Sequence, residues 1–367
     1  MTQDEIIEIL LAFIAADDER ADRGTATSDD AFNEIALQLF AYQFEHNRPF
    51  RQFSIQRGRT PRTARSWRDI PAVPINAFKE LTLSCCAPES AARVFMTSGT
   101  TARGVRGKSY HANTAVYDAS MIRGFKQFFM PDRDRIDMSI LFPTEDVLPN
   151  SSLAHYLGLA LSHFGSAHSD YVMQDDGIAF DHLFNNLGRA QIGGEPYALL
   201  GASYSYVPLL DEMVQRRLSF TLPAGSRLFD TGGFKGQSRE LRLDEFYDQL
   251  SAAFGVPREN CTNMYGMTEL STQFYDRGNA VCPSVKTGPH WIRSRVINPL
   301  TGNDVPLGEA GVLVHCDLAH FNIVSTILTE DAGVEVEGGF LLLGRADGEE
   351  AKGCSIAVEE FLKAARV

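Results

Sequence analysis

The segment Ser226-Arg227-Leu228-Phe229-Asp230-Thr231-Gly232-Gly233 joins a short apolar run to a glycine-containing turn. The run predicts a buried strand that ends at the turn, and the periodicity of residues 243–254 predicts a helix after it. The same alternation continues on both sides, with predicted strands at 138–142, 197–201 and 261–264 and predicted helices at 114–129, 151–164 and 206–217. This pattern predicts an α/β sheet whose ligands lie at the carboxyl ends of the strands.

The flanking regions have other patterns. Residues 1–47 are predicted to be helical, and the basic stretch 48–68 is predicted to be an irregular surface loop. Residues 70–75 are predicted to be extended, because each proline there disfavours helix at the residue before it. From about residue 286 onwards, short strand-like runs separated by turns predict a small β subdomain or barrel wall.

Composition restricts the class of protein. The chain has 367 residues and a net charge of −13, and its length predicts about two domains. The acidic balance argues against a nucleic-acid surface, but a nucleotide pocket needs only a few local cations. No apolar run is long enough to predict a membrane span.

The N-terminus and the cysteines bear on location. Asp4 and Glu5 precede the apolar residues 6–16, so the basic region of a signal peptide is missing. The six cysteines form no Cys-x-x-Cys pair, which predicts reduced thiols rather than disulfides or a zinc site. Together these features predict a cytoplasmic protein, and they leave its oligomeric state open.

A glycine- and hydroxyl-rich run follows the strand predicted at residues 94–96. Its backbone can turn tightly and direct several N–H groups at one anion, and nearby hydroxyl and cationic side chains can add donors. The residues concerned are Thr97, Ser98, Gly99, Thr100 and Thr101, followed by Arg103, Arg106 and Lys108. The run therefore predicts a polyphosphate-binding loop, here called the cradle, although an ordinary loop can have the same composition.

Two later segments accompany the cradle, Tyr265-Gly266-Met267-Thr268-Glu269 and Gly344-Arg345-Ala346-Asp347. The order and spacing of the three resemble those of acyl-adenylate-forming enzymes. Further matching segments make the chain resemble, over most of its length, the acyl-protein synthetase (LuxE) branch of that superfamily. They are Ile70-Pro71-Ala72-Val73-Pro74 with Phe78-Lys79, Asn150-Ser151-Ser152-Leu153, and Asp230-Thr231-Gly232-Gly233-Phe234-Lys235-Gly236.

The resemblance implies a fold and a domain division. The fold is the large N-terminal domain of adenylate-forming enzymes, with layered α/β sheets and a small β subdomain. It would occupy residues 1–343, with a helical part at 1–47, an α/β body at about 70–285 and the β subdomain at about 286–343. Residues 344–367 would form a short hinge or tail. Larger relatives continue well beyond this point and carry a catalytic lysine there, whereas the acyl-protein synthetase branch does not.

The implied reaction is ATP-dependent and needs magnesium. A carboxylic acid and ATP would give an acyl-adenylate and pyrophosphate, and the acyl group would then pass to a thiol. In this branch the thiol is a cysteine of the enzyme, and an acyl reductase is the partner that receives the group. Two alternatives stay open: a ligase that acylates coenzyme A or an acyl carrier protein without self-acylation, and a catalytically inactive nucleotide-binding interaction protein.

The resemblance also implies residue roles. The cradle would hold the β- and γ-phosphates, Thr268 would contact the α-phosphate, and Glu269 would bind magnesium. Residues implied to contact adenine or ribose are Gly232, Gly233, Phe234, Tyr265, Gly266, Asp331 and Arg345. Glu269 could instead be a surface or capping residue, Tyr265 a core aromatic and Arg345 a solvated charge. Asp331 could be a turn residue, with Glu330 as the true ribose ligand.

One departure from the family pattern affects the cradle. Ala102 stands where the family pattern has glycine, and the usual lysine is displaced, so Arg103, Arg106 or Lys108 would replace it.

Cys354 stands where the branch expects its acylated cysteine. We expect Lys352 to lower the pKa of its thiol and Gly353 to let the segment swing towards the adenylate. The alternative is a buried cysteine in a final amphipathic helix.

Overall fold

The computed structural model describes residues 1–16, 26–97, 105–175, 177–234 and 239–365. Its helices are α1 Gln3–Ala15, α2 Ala26–His46, α3 Arg48–Gln56, α4 Ala77–Glu80, α5 Ala115–Phe128, α6 Ser152–Phe164, α7 Phe180–Gly193, α8 Ser203–Arg216, α9 Leu243–Phe254 and α10 Gly348–Ala365.

The strands include both predicted and unpredicted elements. They are β1 Val73–Pro74, β2 Arg93–Met96, β3 Lys108–His111, β4 Asp137–Leu141, β5 Asp170–Tyr171, β6 Met173–Gln174, β7 Gly177–Ile178, β8 Tyr197–Ala202, β9 Arg227–Thr231, β10 Cys261–Tyr265, β11 Phe274–Tyr275, β12 Val285–Lys286, β13 Ile292–Ile297, β14 Ala310–Asp317, β15 Thr326–Val336 and β16 Gly339–Arg345. The strands predicted around residues 138, 197, 226 and 261 correspond to β4, β8, β9 and β10, which confirms the mixed α/β class.

The chain divides into two compact units. Unit 1 comprises Met1–Arg123, Met267–Thr272 and Gly288–Val367, and unit 2 comprises Gly124–Gly266 and Gln273–Thr287. The predicted division at residue 343 stays a prediction, but the compact units follow a different boundary. One unit boundary falls between Gly266 and Met267. Tyr265 and Gly266 therefore belong to unit 2, whereas Thr268 and Glu269 belong to unit 1.

Unit 2 is built on a sheet with strand order β11-β10-β9-β8-β4-β5. The pairs β4–β5, β4–β8, β8–β9 and β9–β10 are parallel, and only β11 runs antiparallel at one edge. Every residue of the central strand β8 is buried, as expected for a parallel strand covered on both faces. Leu199 and Leu228 lie in the core with residues of α7, α8 and α9.

Unit 1 contains a sheet with strand order β16-β15-β14-β13, in which neighbouring strands are antiparallel. Strand β1 joins it parallel to β15, with Val73 opposite Ile327 and Pro74 opposite Leu328. The extended conformation expected for residues 70–75 thus serves to pair this segment with a strand far away in the sequence. The region after residue 286 is rich in β structure, as predicted, but its strands are not short, since β14 has 8 residues and β15 has 11.

The prediction of an irregular loop over residues 48–68 is wrong for residues 48–56, whereas residues 57–66 form neither helix nor strand. Residues 48–56 form α3, whose N-cap residue Asn47 accepts a hydrogen bond from the Phe50 N–H. Phe50 and Phe53 are buried, so the helix has an apolar face. The signal was present in the sequence, because asparagine followed closely by Pro49 is typical of a helix start.

The C-terminal residues 348–365 form α10, which packs in unit 1 against α3, α4, β1 and β15. Phe361 is fully buried, and its ring centroid lies 4.7 Å from that of Phe53. The C-terminal segment is therefore part of the packed core of unit 1. Among the helices of the described residues, none is long and apolar enough to cross a membrane.

Candidate active site

The hairpin β2–β3 brings the two ends of the cradle together. Met96 pairs with Lys108, and beyond them the Thr97 N–H donates to Gly107 O at 3.0 Å. The Gly107 N–H donates in return to Thr97 Oγ1 at 2.9 Å. Thr97 therefore lies at the base of the cradle. The cradle residues Ser98, Gly99, Thr100, Thr101 and Arg103 lie outside the described residues.

Glu269 lies beside the base of the cradle. A Cβ atom placed on Gly107 would lie 3.3 Å from Glu269 Oε1 and 3.3 Å from Thr97 Cγ2. Ser109 Oγ on β3 donates to Thr268 O at 2.9 Å, which ties the Thr268–Glu269 turn to the same hairpin. Unit 1 thus brings together Thr97 of the predicted phosphate-binding loop with Thr268 and Glu269, whose roles were implied by the resemblance.

A buried polar network holds the chain just after Glu269. Asp317 accepts hydrogen bonds from the Ser271 N–H at 2.7 Å and from Thr272 Oγ1 at 2.6 Å. Trp291 Nε1 donates to Ser120 Oγ at 2.8 Å and to Thr272 Oγ1 at 3.1 Å. Asp317 is fully buried, and burial raises the pKa of its carboxyl to about 6. The network fixes the backbone that presents Glu269.

Burial dominates the electrostatics of Glu269, whose exposed fraction is 4%. It raises the pKa of the carboxyl to about 7, against the lowering effects of its own backbone N–H and of the charges on Lys79 and Arg345. Asp331 raises the pKa further. The alternative of Glu269 as a solvated surface residue is therefore wrong. A cation bound at the carboxylate would stabilise its ionised form.

The donor set fits a magnesium ion that arrives with a nucleotide. The described residues contain no group of three His, Cys, Asp or Glu side chains that could hold a metal by themselves. Magnesium is commonly held by one or two carboxylates together with substrate phosphates and water. A buried carboxylate beside a phosphate-binding loop provides the protein's share of that arrangement.

Asp331 and Arg345 lie opposite each other on β15 and β16. Arg345 Nη1 lies 3.5 Å from Asp331 Oδ1 and 3.4 Å from Glu330 Oε2. Asp331 is part of a long strand, so its interpretation as a turn residue is wrong. Arg345 is 62% exposed, which agrees with a charge at a strand end that a ligand can still reach.

The other cations predicted for the cradle are also accessible. Arg106 and Lys108 are both exposed. Lys108 is the first residue of β3, and Arg106 lies two residues before it. Their positions are compatible with phosphate binding and equally with a solvated loop. The assignment of the cradle cation therefore stays a prediction.

In unit 2, a buried carboxyl organises the Gly232 turn. Asp230 accepts hydrogen bonds from Ser203 Oγ at 2.6 Å, Asn263 Nδ2 at 2.8 Å and the Tyr247 hydroxyl at 2.9 Å. Ser203 Oγ also donates to Thr231 O at 3.0 Å. Gly232 has a φ of +80°, which favours glycine, and a Cβ atom there would meet nothing within 4 Å.

The predicted adenine contacts of unit 2 differ in accessibility. Gly232 and Gly233 are exposed, so a flat base could approach their backbone. Phe234 is instead buried, with its ring centroid 5.1 Å from that of Phe246. Tyr265 is 8% exposed and lies at the end of β10. At Gly266 a Cβ atom would approach Gln273 Cγ to 3.2 Å, so the glycine allows a close approach.

Cys354 lies on α10 in an apolar cluster, with an exposed fraction of 3%. Burial, followed by the charges of Glu330 and Glu350, raises the pKa of its thiol to about 11. The expectation that Lys352 lowers this pKa is therefore wrong. Gly353 has no hinge geometry either: a Cβ atom there would lie 2.8 Å from Pro299 Cβ, so glycine permits close helix packing.

Sequence reasoning missed the residues that position the site. Asp317 gave no local signal, and Asp230 was noted only as part of a matching segment, because the donors around each come from other parts of the chain. Asn76 and Glu330 are linked by a hydrogen bond between side chains 254 positions apart. Lys79 was noted only as part of a matching motif, although its charge acts on Glu269.

Comparison with known proteins identifies the relatives of this chain. The family model described as "Acyl-protein synthetase, LuxE" matches residues 17–363. A long-chain-fatty-acid–luciferin-component ligase of Vibrio harveyi is 22% identical over 344 residues, which cover 90% of this chain and 88% of that protein.

Solved structures share the fold. A 2-hydroxyisobutyryl-CoA ligase in complex with its acyl-AMP has a TM-score of 0.65 and 15% identity, over 89% of this chain and 69% of the other. ATP-bound MatB from Rhodopseudomonas palustris has a TM-score of 0.51 and 18% identity, over 71% of this chain and 49% of the other. The chain therefore has the fold of adenylate-forming ligases.

Proposed function

The chain belongs to the LuxE acyl-protein synthetase family, and on that premise we propose that it uses ATP to activate a carboxylic acid as an acyl-adenylate and then passes the acyl group to a thiol. The observation that carries the proposal is the approach of Glu269 to the base of the cradle in unit 1. A phosphate-binding loop and a buried carboxylate in that relation suit phosphoryl chemistry.

In the first step, a carboxylate oxygen of the acid attacks the α-phosphorus of ATP. A new oxygen–phosphorus bond forms, and the bond from the α-phosphorus to the bridging oxygen breaks, so pyrophosphate leaves with the electron pair. Thr97 and the other cradle residues would orient the β- and γ-phosphates, and Thr268 would donate to the α-phosphate. Glu269 would hold magnesium, which neutralises charge on the phosphates when bound.

The nucleoside contacts are proposed for each unit separately. In unit 2, the exposed backbone of Gly232 and Gly233 and the ring of Tyr265 would contact adenine. In unit 1, the Asp331 carboxylate is a good acceptor for two ribose hydroxyls, and Arg345 would contact ribose or phosphate. Phe234 and Gly266 would act by shaping the backbone next to the base, since one is buried and the other closely packed.

In the second step, a thiolate attacks the acyl carbonyl carbon, a thioester forms, and AMP leaves with the electrons of the broken carbon–oxygen bond. Cys354 is the acceptor that the family suggests, and an acyl reductase is the proposed recipient. Because its thiol is buried, α10 would have to leave its packing site before Cys354 could react. The burial favours, as a second candidate, direct transfer to coenzyme A or an acyl carrier protein.

ATP–pyrophosphate exchange tests the first step. We expect magnesium-dependent exchange with at least one acid, and the name of the Vibrio harveyi relative makes long-chain fatty acids the first to try. Aryl and small polar acids complete the panel. Failure of every class to support exchange would argue against adenylation.

Cys354→Ser separates the two candidate acceptors. Exchange should continue, because adenylation does not use the thiol, whereas a hydroxylamine-labile acyl label on the protein should disappear. Mass spectrometry of wild-type protein incubated with ATP and acid would locate the label. An unlabelled wild-type enzyme that efficiently forms acyl-CoA or acyl carrier protein would favour the second candidate.

A further inference from the structure

The short helix α4 carries an amine, Lys79, that has no part in the steps above. Its Nζ donates to Asn76 Oδ1 at 2.8 Å. The Asn76 amide donates to Glu330 Oε1, and the other oxygen of Glu330 accepts from Arg345 Nη1 at 3.4 Å. A chain of hydrogen bonds therefore runs from Arg345, the proposed ribose or phosphate contact, to the Lys79 ammonium group.

Main-chain pairing holds this chain in place. Strand β1 is parallel to β15, with Pro74 opposite Leu328, and the Ile75 N–H continues the ladder by donating to Leu328 O at 2.9 Å. Asn76 follows as the N-cap residue of α4, two residues after the end of β1, and its amide reaches Glu330, two positions beyond Leu328 on β15. The orientation of Asn76 thus depends on a strand pair, which is more rigid than a loop.

The helix that carries Lys79 lies next to the base of the cradle. A Cβ atom on Gly107 would lie 3.4 Å from Phe78 Cβ, the same point that approaches Glu269 Oε1 to 3.3 Å. The residue preceding Lys79 therefore borders the spot where Thr97 and Glu269 meet. Lys79 is half-buried, so its charge is only partly screened by solvent.

The hydrogen bond of the Lys79 ammonium group to Asn76 leaves other N–H donors of that group able to bind an anion. A lysine ammonium has three N–H donors, and Asn76 Oδ1 is a neutral acceptor for one of them. Within the described residues, no carboxylate forms an ion pair with Lys79. Its positive charge acts on Glu269, but a neutral amide holds the ammonium group in position, so its remaining N–H groups can bind an anion.

We propose that Lys79 is a further catalytic residue whose ammonium group binds phosphoryl oxygens of ATP during attack on the α-phosphorus, with Asn76 and Glu330 as positioning residues. The proposal rests on the proposed adenylation. Lys79 transfers no proton: it stabilises negative charge while the bond to pyrophosphate breaks. Its contribution belongs to the first step and not to acyl transfer.

Lys79→Met tests the role with little change in side-chain volume. We expect exchange to fall by about a hundredfold, with thermal unfolding close to that of the wild type. Lys363→Met, which removes an exposed lysine on α10, is the matched control and should stay within about twofold. If Lys79→Met does not fold, Lys79→Gln replaces it with a polar side chain.

The positioning residues give a readout that a structural role would not. Asn76→Ala and Glu330→Gln should each lower exchange by about tenfold, and Asn76→Ala should have no further effect once Lys79 is Met. If Asn76→Ala lowered exchange by the same factor in the wild type and in Lys79→Met, Asn76 would not act by positioning Lys79. Chemically prepared acyl-adenylate should pass its acyl group to a thiol at the wild-type rate in Lys79→Met.

Two failures can be told apart. Wild-type exchange together with a Lys79→Met enzyme within about threefold of it would overturn the role of Lys79 and leave the proposed function intact. Slow transfer from supplied acyl-adenylate would also overturn the assignment to the first step. Absence of exchange in the wild type with every acid would overturn adenylation and, with it, this proposal.

Discussion

Two buried carboxyl groups, one in each unit, are held in different ways. Asp230 in unit 2 accepts hydrogen bonds from three side chains, those of Ser203, Tyr247 and Asn263. Burial raises the pKa of Glu269 in unit 1 to about 7, against the lowering effects of its own backbone N–H and of the charges on Lys79 and Arg345. A carboxyl surrounded by donors supports structure, whereas one that is buried with few donors is ready to bind a cation.

The largest expected effect concerns Asp230. Asp230→Ala would leave the buried donors of Tyr247 and Asn263 without their acceptor and would remove one of the acceptors of Ser203, so the free energy of unfolding should fall by about 4 kcal/mol. Urea unfolding measures it, with Asp211→Ala at an exposed position as control. If Asp230→Ala lowered the free energy of unfolding only as much as Asp211→Ala, Asp230 would not have the structural role assigned to it here.

Activity should respond most strongly at Glu269. Glu269→Gln keeps the side-chain shape and removes the charge, so ATP–pyrophosphate exchange should fall by about a hundredfold. Thr268→Ala should also impair exchange, because it removes a phosphate donor. Wild-type exchange rates in both variants would show that the adenylation site lies elsewhere.

The raised pKa of Glu269 predicts a pH dependence of stability. The folded protein binds this proton more tightly than the unfolded chain, whose carboxyl titrates near 4.5. The resulting stabilisation is complete below about pH 4.5 and is lost as the pH rises through about 7. From pH 5 to pH 8, unfolding free energy should fall by about 2 kcal/mol more in the wild type than in Glu269→Gln.

The smallest effects are expected from the cradle cations. Single replacement of Arg103, Arg106 or Lys108 by methionine should raise the KM for ATP several-fold in at least one case, since charge-assisted bonds to phosphate are lost. Increasing ionic strength should reduce the difference from wild type. Three neutral variants would mean that the basic residues form a solvated loop.

Several elements were predictable because their signals are local. The apolar runs of β4, β8, β9 and β10 and the helix predicted at 151–164 were identified correctly, and Ser151 is the N-cap residue of that helix, α6. Helix α3 was missed although its cap was visible. Asp331 was left between two interpretations, because nothing in its neighbours revealed that β15 continues through it for pairing with β16.

The sequence by itself determined the α/β class, the order of the three motifs and, through them, the family, since these depend on periodicity and on residue types close together in the chain. Tertiary structure decided the burial of Glu269, the raised pKa of Cys354 and the Lys79–Asn76–Glu330 chain. Each depends on distant segments: β1 must pair with β15, and α10 must pack against the sheet. Solvent exclusion and side-chain contacts arise only when those segments meet, so no local pattern encodes them.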